Sequence, residues 1–332
     1  MRFARSLLSG LAVVPRILVL DGWRALLRLL AWLLAVWARV VRKFGKRPSL
    51  LDSGRRPWTA NCVPMSHPAF KVPDPLIYSQ EYFARLGLAV TWDNPDIVLR
   101  RGGVVVPSYG LQPDTEYEIV ARIWNNSFDA PVVDLPVSFS YLAFGIGTQS
   151  YPITPANQPV HVTLGVKGGP NHPAFATAIW RTPAAPGHYC IQVRLEPASD
   201  ANYANNLGQE NTQVGPAQSP AAFAFLLRND TGKADTVHFE VDTYTIPEPP
   251  PCGPSGTAAF NPRTHATAIY PVPPGWTVQI SPDHPLLQAQ QEQEINVMIT
   301  PPPGFKGTKA FNINAYTASV FLGGVTLYVQ AS

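Results

Sequence analysis

Glu116 and Glu118 stand two apart in the run EYEIVARIW, which puts both carboxylates on one face of a strand. They are the nearest the chain comes to an acid–base pair. A solvated sheet face explains them more simply, because Tyr117, Ile119, Ala121 and Ile123 fill the alternate positions. Three His-Pro steps, at His67, His172 and His284, would serve a metal only by converging from three distant regions. Zinc ligands are usually spaced more tightly, and turns that begin before proline account for all three. The stretch DANYANNLGQEN, residues 200–211, offers Asp200, Asn202, Asn205, Asn206 and Glu210 as oxygen donors of the kind calcium takes. It carries two formal charges and lacks the EF-hand spacing, so Asx-turn capping between strands is the default reading. Cys190 has no base beside it in the sequence. GIGTQS begins like a dinucleotide loop at Gly145, but no helical pattern follows Ser150, and it reads as a strand-end turn. GxSxG, HExxH, P-loop and CxxC patterns are missing. The sequence therefore assigns no catalytic, cofactor or metal residue, and the expectation is a protein that is not an enzyme.

The elements behind these residues are short. With 36 prolines, 24 glycines and 14% charged residues in 332, the composition favours strands joined by turns over a helical bundle. Charge is unevenly spread. Residues 1–56 hold twelve Lys/Arg against Asp21 and Asp52, a net of +10, and residues 57–332 hold thirteen against twenty, a net of −7. The leucines threaded through the basic arm suit anionic lipid headgroups rather than nucleic acid. Cys62, Cys190 and Cys252 make an odd count. One bridge, Cys62 to Cys252, and three free thiols both remain open.

RALLRLLAWLLAVWARVVRKFGKR, residues 24–47, reads as an amphipathic helix. Arg24, Arg28, Arg39 and Arg42 share one edge, while Leu29, Leu33 and Trp37 belong to the wide apolar face. Trp23, Trp32 and Trp37 suit a membrane or protein interface, and Arg39, Arg42 and Lys43 open a basic flank. The longest uncharged run, Leu29 to Ala38, has ten residues, where a span needs about twenty. A helix lying in the interface fits better than a short tilted span. The apolar segment 6–20 is not followed by a clean small-residue cleavage site, which favours an uncleaved anchor over a signal peptide. Positive flanks stay cytoplasmic, so the body is expected on the cytoplasmic face.

Residues 48–88 are rich in Pro and aromatics and predict an extended strap that packs Trp58, Phe70, Tyr78 and Phe83. DIVLRRGGVVV predicts a hairpin through Gly102-Gly103. VVDLPVSFSYLAFG, HVTLGV, FATAIWRTP and HYCIQVRLEP then read as further strands. The two-sided apolar pattern of VSFSYLAF calls for an outer cover: a partner, the strap or the other domain. AAFAFLLRND, TVHFEVDTY, ATAIYPV, WTVQI, EINVMITPP, AFNINAYT and GGVTLYVQ repeat the theme, and no sustained helical period appears after residue 90.

LQPDTEYEIVARIWNNSFDAP, RTPAAPGHYCIQVRLEP and DANYANNLGQENTQV together resemble the bacterial adhesion-related CARDB type of immunoglobulin-like domain. AFLLRNDTGKADTVHFEVDTY with EINVMITPPPGFKG is similar to Ig-like modules beside bacterial glycosidase and surface-protein domains. These resemblances imply adhesive or structural modules, usually exported. The resulting expectation is all-β: an anchor over 1–47, the strap over 48–88, and tandem Ig-like sandwiches over 89–216 and 217–332. The expected role is a non-catalytic scaffold or accessory subunit that stabilises a bacterial membrane protein complex. The alternative is an exported, anchored adhesion or glycan/protein-binding module in the periplasm or at the cell surface. Arg24→Glu with Arg28→Glu is expected to release the protein from membranes or from its complex. Undiminished co-sedimentation of the double variant would count against anchoring.

Overall fold

Alternation dictates the strands, and glycine dictates where they turn. In strand β4 (Glu116–Asn125), Tyr117, Ile119, Ala121 and Ile123 are all buried, as the sequence pattern requires. β2 (Ile97–Arg101) and β3 (Val104–Val106) form the expected hairpin. Its two linking residues, Gly102 and Gly103, have φ of 59° and 81°, a conformation that strains side chains other than glycine. The computed structural model describes residues 72–331, apart from 144, 156, 215–220, 248–261 and 319. The anchor residues Trp23 to Lys43, together with Trp58, Phe70, His67, Cys62 and Cys252, lie outside the described residues.

The remaining strands of the first half are β1 (Pro75–Leu76), β5 (Val132–Ala143), β6 (Gly145–Ile146), β7 (Ser150–Pro152), β8 (Val160–Leu164), β9 (Ala174–Arg181), β10 (Gly187–Leu195) and β11 (Leu207–Val214). One sheet runs β9-β4-β2-β3, with β1 added at the end of β4. The other runs β11-β10-β5, with β7 and β8 sharing the far edge of β5. A single core fills the gap between them, from Leu99, Ile119 and Trp180 on one side to Val137, Phe139, Ile191 and Val193 on the other. Each of these side chains contributes roughly 1.5–3 kcal/mol by leaving water.

The second half contributes β12 (Ala221–Arg228), β13 (Asp235–Thr236), β14 (His238–Asp242), β15 (Thr277–Ser281), β16 (Leu286–Leu287), β17 (Glu292–Thr300), β18 (Gly307–Tyr316) and β19 (Phe321–Ala331). The sheets β15-β17-β12-β6 and β14-β18-β19 enclose a second core around Phe225, Leu227, Ile295, Val297, Phe311, Ile313 and Leu327. The described architecture is all-β and mainly antiparallel.

Three expectations need correction. The strap is not wholly extended: α1 (Gln80–Arg85) forms there, with the Ser79 hydroxyl accepting the Tyr82 N–H and Arg85 paired to Glu81 one turn back. Tyr78 is buried against Phe83, with ring centroids 5.1 Å apart. ATAIYPV is not a strand, because α2 (Pro262–Thr267) runs into it and an irregular segment follows. Nor is GIGTQS a plain turn. Gly145 and Ile146 form β6, which pairs in parallel with Leu226 and Leu227 of β12 and so joins the second half's sheet from within the first half's sequence. Gly145 is required there, since a Cβ would collide with the Leu226 carbonyl.

Among the described residues, no helix is long and apolar enough to cross a membrane. Ile146 is buried in the second core. Ile146→Ala is expected to cost about 2–5 kcal/mol, read as a lower urea midpoint. A shift equivalent to less than about 0.5 kcal/mol would show that β6 contributes nothing to that core.

Candidate functional site

Two surfaces gather the chain's polar chemistry: a seam where the two halves meet, and the outer face of the sheet β9-β4-β2-β3. The seam is built by backbone groups meeting side-chain amides and hydroxyls. Thr326 of β19 donates its N–H to Asn211 Oδ1 at 2.6 Å, and its hydroxyl accepts the Trp92 N–H at 2.8 Å. That hydroxyl donates in turn to Asn312 Oδ1 at 2.7 Å. The Trp92 indole donates to Asn314 Oδ1 at 3.3 Å, and the Trp92 carbonyl accepts from Asn211 N–H at 2.8 Å. Gly324 lies beneath the indole, where a Cβ would come within 2.5 Å of Asn314 Oδ1. Around this network Tyr109 meets Tyr328 and the His188 ring packs on Phe223, both with centroids 5.0 Å apart. In VSFSYLAF, Leu142 is buried, as is its partner across the strands, Cys190 of β10.

Four acids lie at or near the seam, Glu210 and Asp96 buried, Asp242 half-buried and Asp93 exposed. Glu210 of β11 accepts the Asn94 N–H, and burial pushes its carboxyl well above the ordinary range, with the neighbouring Asp93 charge adding to the rise. Asp93, although its side chain is exposed, is itself raised by partial desolvation of its carboxyl, which outweighs its hydrogen bond from Tyr328. Asp96 accepts from Tyr78 N–H, Trp124 Nε1 and Arg122 Nε, each at 2.9 Å, yet burial still raises it. Asp242 accepts from Tyr244 N–H at 2.8 Å and from the Asn312 and Asn314 amides at 2.6 and 3.2 Å, and it too is raised by burial. Glu210, Asp96 and Asp242 each accept one backbone N–H, and Asp93 takes its hydrogen bond from the Tyr328 side chain.

Other candidates disperse. His172 stays in the first half, accepting the Gly168 N–H at 3.2 Å and meeting Trp124 edge-on, while His284 lies exposed beside Asp283 at 3.3 Å. Among the described residues, no three His, Cys, Asp or Glu side chains gather as a metal site would require. Cys190 is buried and free, and burial pushes its thiol far above the usual range, the reverse of an activated nucleophile. Glu210 leaves the Asn-rich loop altogether, because the strand β11 begins at Leu207 and carries it to the seam. The expected solvated face around Glu116 and Glu118 is present. Arg181 spans Asp114 and Glu116 at 2.8 and 3.7 Å, and Glu118 lies opposite Arg100.

That outer face is also apolar at its margins. β9 alternates strictly, burying Ala174, Ala176, Ala178 and Trp180 and leaving Phe175 and Ile179 57% and 62% exposed. Strand register sets Ile179, Glu118, Arg100 and Val105 in one row across four strands, a span of about 14 Å at the usual strand spacing. Parallel to it run Thr177, Val120 and Val98, and then Phe175 beside Arg122. Val104 and Val105 are exposed at the far edge.

No family model matches the sequence, and no curated protein matches it as a relative. Among solved structures, the D0-D1 domain of intimin aligns at 10% identity with a TM-score of 0.22, covering 71% of this chain and 98% of its own. The Yersinia pseudotuberculosis adhesin InvE aligns at 15% identity and a TM-score of 0.20, covering 74% of this chain and 60% of its own. InvD from the same organism aligns at 12% identity and 0.20, covering 71% and 60%. This chain thus spans three fifths of InvE and of InvD. Superpositions at that level decide neither family nor activity.

The sequence missed Asp96, Asp242 and Trp92 as anchoring residues. The one available signal was polar strands without charge alternation, LGQENTQV and AFNINAY, whose polar positions turn out to be largely buried. Folding raises the Glu210 pKa above the 4.5 of a free glutamate, so the folded chain takes up a proton. The contribution to stability is therefore fullest below about pH 4.5 and is lost as pH climbs toward the folded pKa. His188 has the opposite sign: burial lowers it from 6.5 to about 4, which penalises folding as pH falls through that window. Glu210→Gln is expected to be increasingly stabilising relative to the parent as pH rises above 4.5, by up to about 1.4 kcal/mol per pH unit until the folded pKa is reached. Urea titrations between pH 4 and 9 would show it, and a pH-independent difference between the two proteins would refute it.

Proposed function

We propose that this chain is a non-catalytic binding module: two tandem immunoglobulin-like sandwiches, tethered by an N-terminal membrane anchor, that hold a protein partner on the outer face of β9-β4-β2-β3. One observation carries the proposal. The face pairs more than half-exposed Phe175 and Ile179 with Arg122, Arg181 and Glu118 on a sheet made rigid by its packing on the core. Aromatic and arginine side chains at the centre of a patch, with charges around them, are the usual composition of an interaction surface. Buried Glu210 and Asp96, each already accepting a backbone N–H, support a holding role over a catalytic one. The scaffold and the exported adhesion module share this mechanism and differ in the face of the membrane on which the body sits. Protease digestion of inside-out vesicles assigns that face, with cleavage of the body there placing it in the cytoplasm.

A photo-crosslinking residue at position 175 or 179, introduced into the full chain in its native cells, is expected to yield a discrete adduct. The same probe at Glu240, exposed on β14 of the other half, is expected to yield none. Phe175→Ser with Ile179→Asp should reduce recovery of that identified partner at least tenfold while leaving the urea midpoint within about 0.5 kcal/mol of the parent, because both side chains are exposed. Absence of an adduct at both positions, or equal adducts at Glu240, would sink the proposal.

A further inference from the structure

Just past the end of β4 the fold gathers an amine, an amide and a carboxyl that neither the seam nor the outer sheet face uses. Lys167, in the loop between β8 and β9, donates from Nζ to Asn126 Oδ1 at 2.5 Å. The other end of the same amide, Asn126 Nδ2, donates to Asp74 Oδ2 at 3.1 Å. The backbone fixes all three residues. Asn126 N–H donates to the Asp74 carbonyl and Lys167 N–H to the Ser127 carbonyl, both at 2.8 Å. Asp74 is buried, Asn126 and Lys167 are half-buried, and the centre of the Phe128 ring lies 5.2 Å from the amine.

An ordinary surface lysine is an ammonium ion and has no electron pair with which to attack. Burial lowers the Lys167 pKa and raises that of Asp74, although the charge of each opposes the shift in the other. Both shifts run toward a neutral amine at one end of the Asn126 amide and a protonated carboxyl at the other. Those are the parts an aminolysis needs: a nucleophile, a carbonyl and an acid beside the leaving nitrogen. Amides resist amines in free solution, but fixed geometry can supply effective concentrations of about 10⁵–10⁸ M.

We infer that Lys167 and Asn126 join in an isopeptide bond, with Asp74 as the catalytic acid. The Lys167 nitrogen attacks Asn126 Cγ, and the carbonyl electron pair moves onto Oδ1. The carbonyl then re-forms as the Cγ–Nδ2 bond breaks, Asp74 gives its proton to Nδ2, and ammonia leaves. The new amide nitrogen returns one proton to Asp74, which ends as it began. One primary amine and one primary amide become one secondary amide and one ammonia, and nothing is oxidised or reduced. Asn126 follows β4 in one sheet, and Lys167 follows β8 at the edge of the other. The bond therefore ties the two sheets of the first sandwich together at one end. It does not rest on the partner surface, whose residues take no part in it.

Trypsin reads the bond directly. Residues 123–166 contain no Lys or Arg, so an open chain yields peptides 123–167 and 168–181. A bonded Lys167 is not cut, and the full-length chain is expected to yield 123–181 as one peptide, lighter by one ammonia. Lys167→Arg and Asn126→Ala are expected to restore full mass and cleavage at position 167. Asp74→Asn removes the acid and is expected to slow the bond about 10²–10⁴-fold, so that the two open peptides persist. Complete cleavage of the parent after Lys167 at full mass would overturn the inference. So would an ammonia deficit that survives in Lys167→Arg, the mark of Asn126 closing on its own backbone, or a fully bonded Asp74→Asn. Should Asp74→Asn fail to fold by circular dichroism, the parent and Lys167→Arg decide between them.

Discussion

Thr326 is where the two halves of this protein become one body. Its N–H and its hydroxyl bind Asn211, Trp92 and Asn312, groups drawn from both halves. Hydrogen bonds between buried neutral groups each add only about 0.5–1.5 kcal/mol net, but leaving one unmade costs more. The consequence is specificity of fit. An apolar seam would tolerate sliding, whereas a polar one is satisfied in a single register. Gly324 enforces the same constraint sterically, since the Trp92 indole can approach only where no side chain stands.

Carboxyls are desolvated within each half beside that seam, and their cost is distributed rather than cancelled. Asp96 and Asp242 each collect three donors and remain raised, so desolvation outweighs the hydrogen bonds even where these are well made. Glu210 and Asp93 have fewer donors and each other's company. His188, on the same seam, is destabilised by acid while these carboxyls are destabilised by base. Opposed titrations at one contact confine its firmest state to an intermediate window of pH.

The strands were legible because one face of each is apolar: β4, β9 and β17 bury alternate residues as their spelling predicts. The Gly102-Gly103 turn was legible because its backbone conformation admits little else. The seam was not, because a polar side chain that points into another part of the fold has the same pattern as one that points into water. Asn312 and Asn314 alternate with Phe311 and Ile313 as a solvated face would, yet they are buried. β6 escaped for a different reason. A two-residue strand carries no period, and its partner β12 lies some eighty residues downstream. Asp74 could not be joined to the Asn-rich loop from sequence either, because the contact spans 131 residues.

β6 also bears on how the chain comes to be made. Ile146 is translated with the first half, but the core it enters is assembled from residues 223–329. A nascent chain emerging from the ribosome must therefore carry that isoleucine uncovered until residues 223–329 have followed it. The amino-terminal half can gather its own core in the meantime, but its β6 edge stays open until β12 pairs with it, and β19 then packs on the Ile146 side chain. Truncated products would expose that edge, leaving them open to chaperones and proteases that pass over the finished molecule.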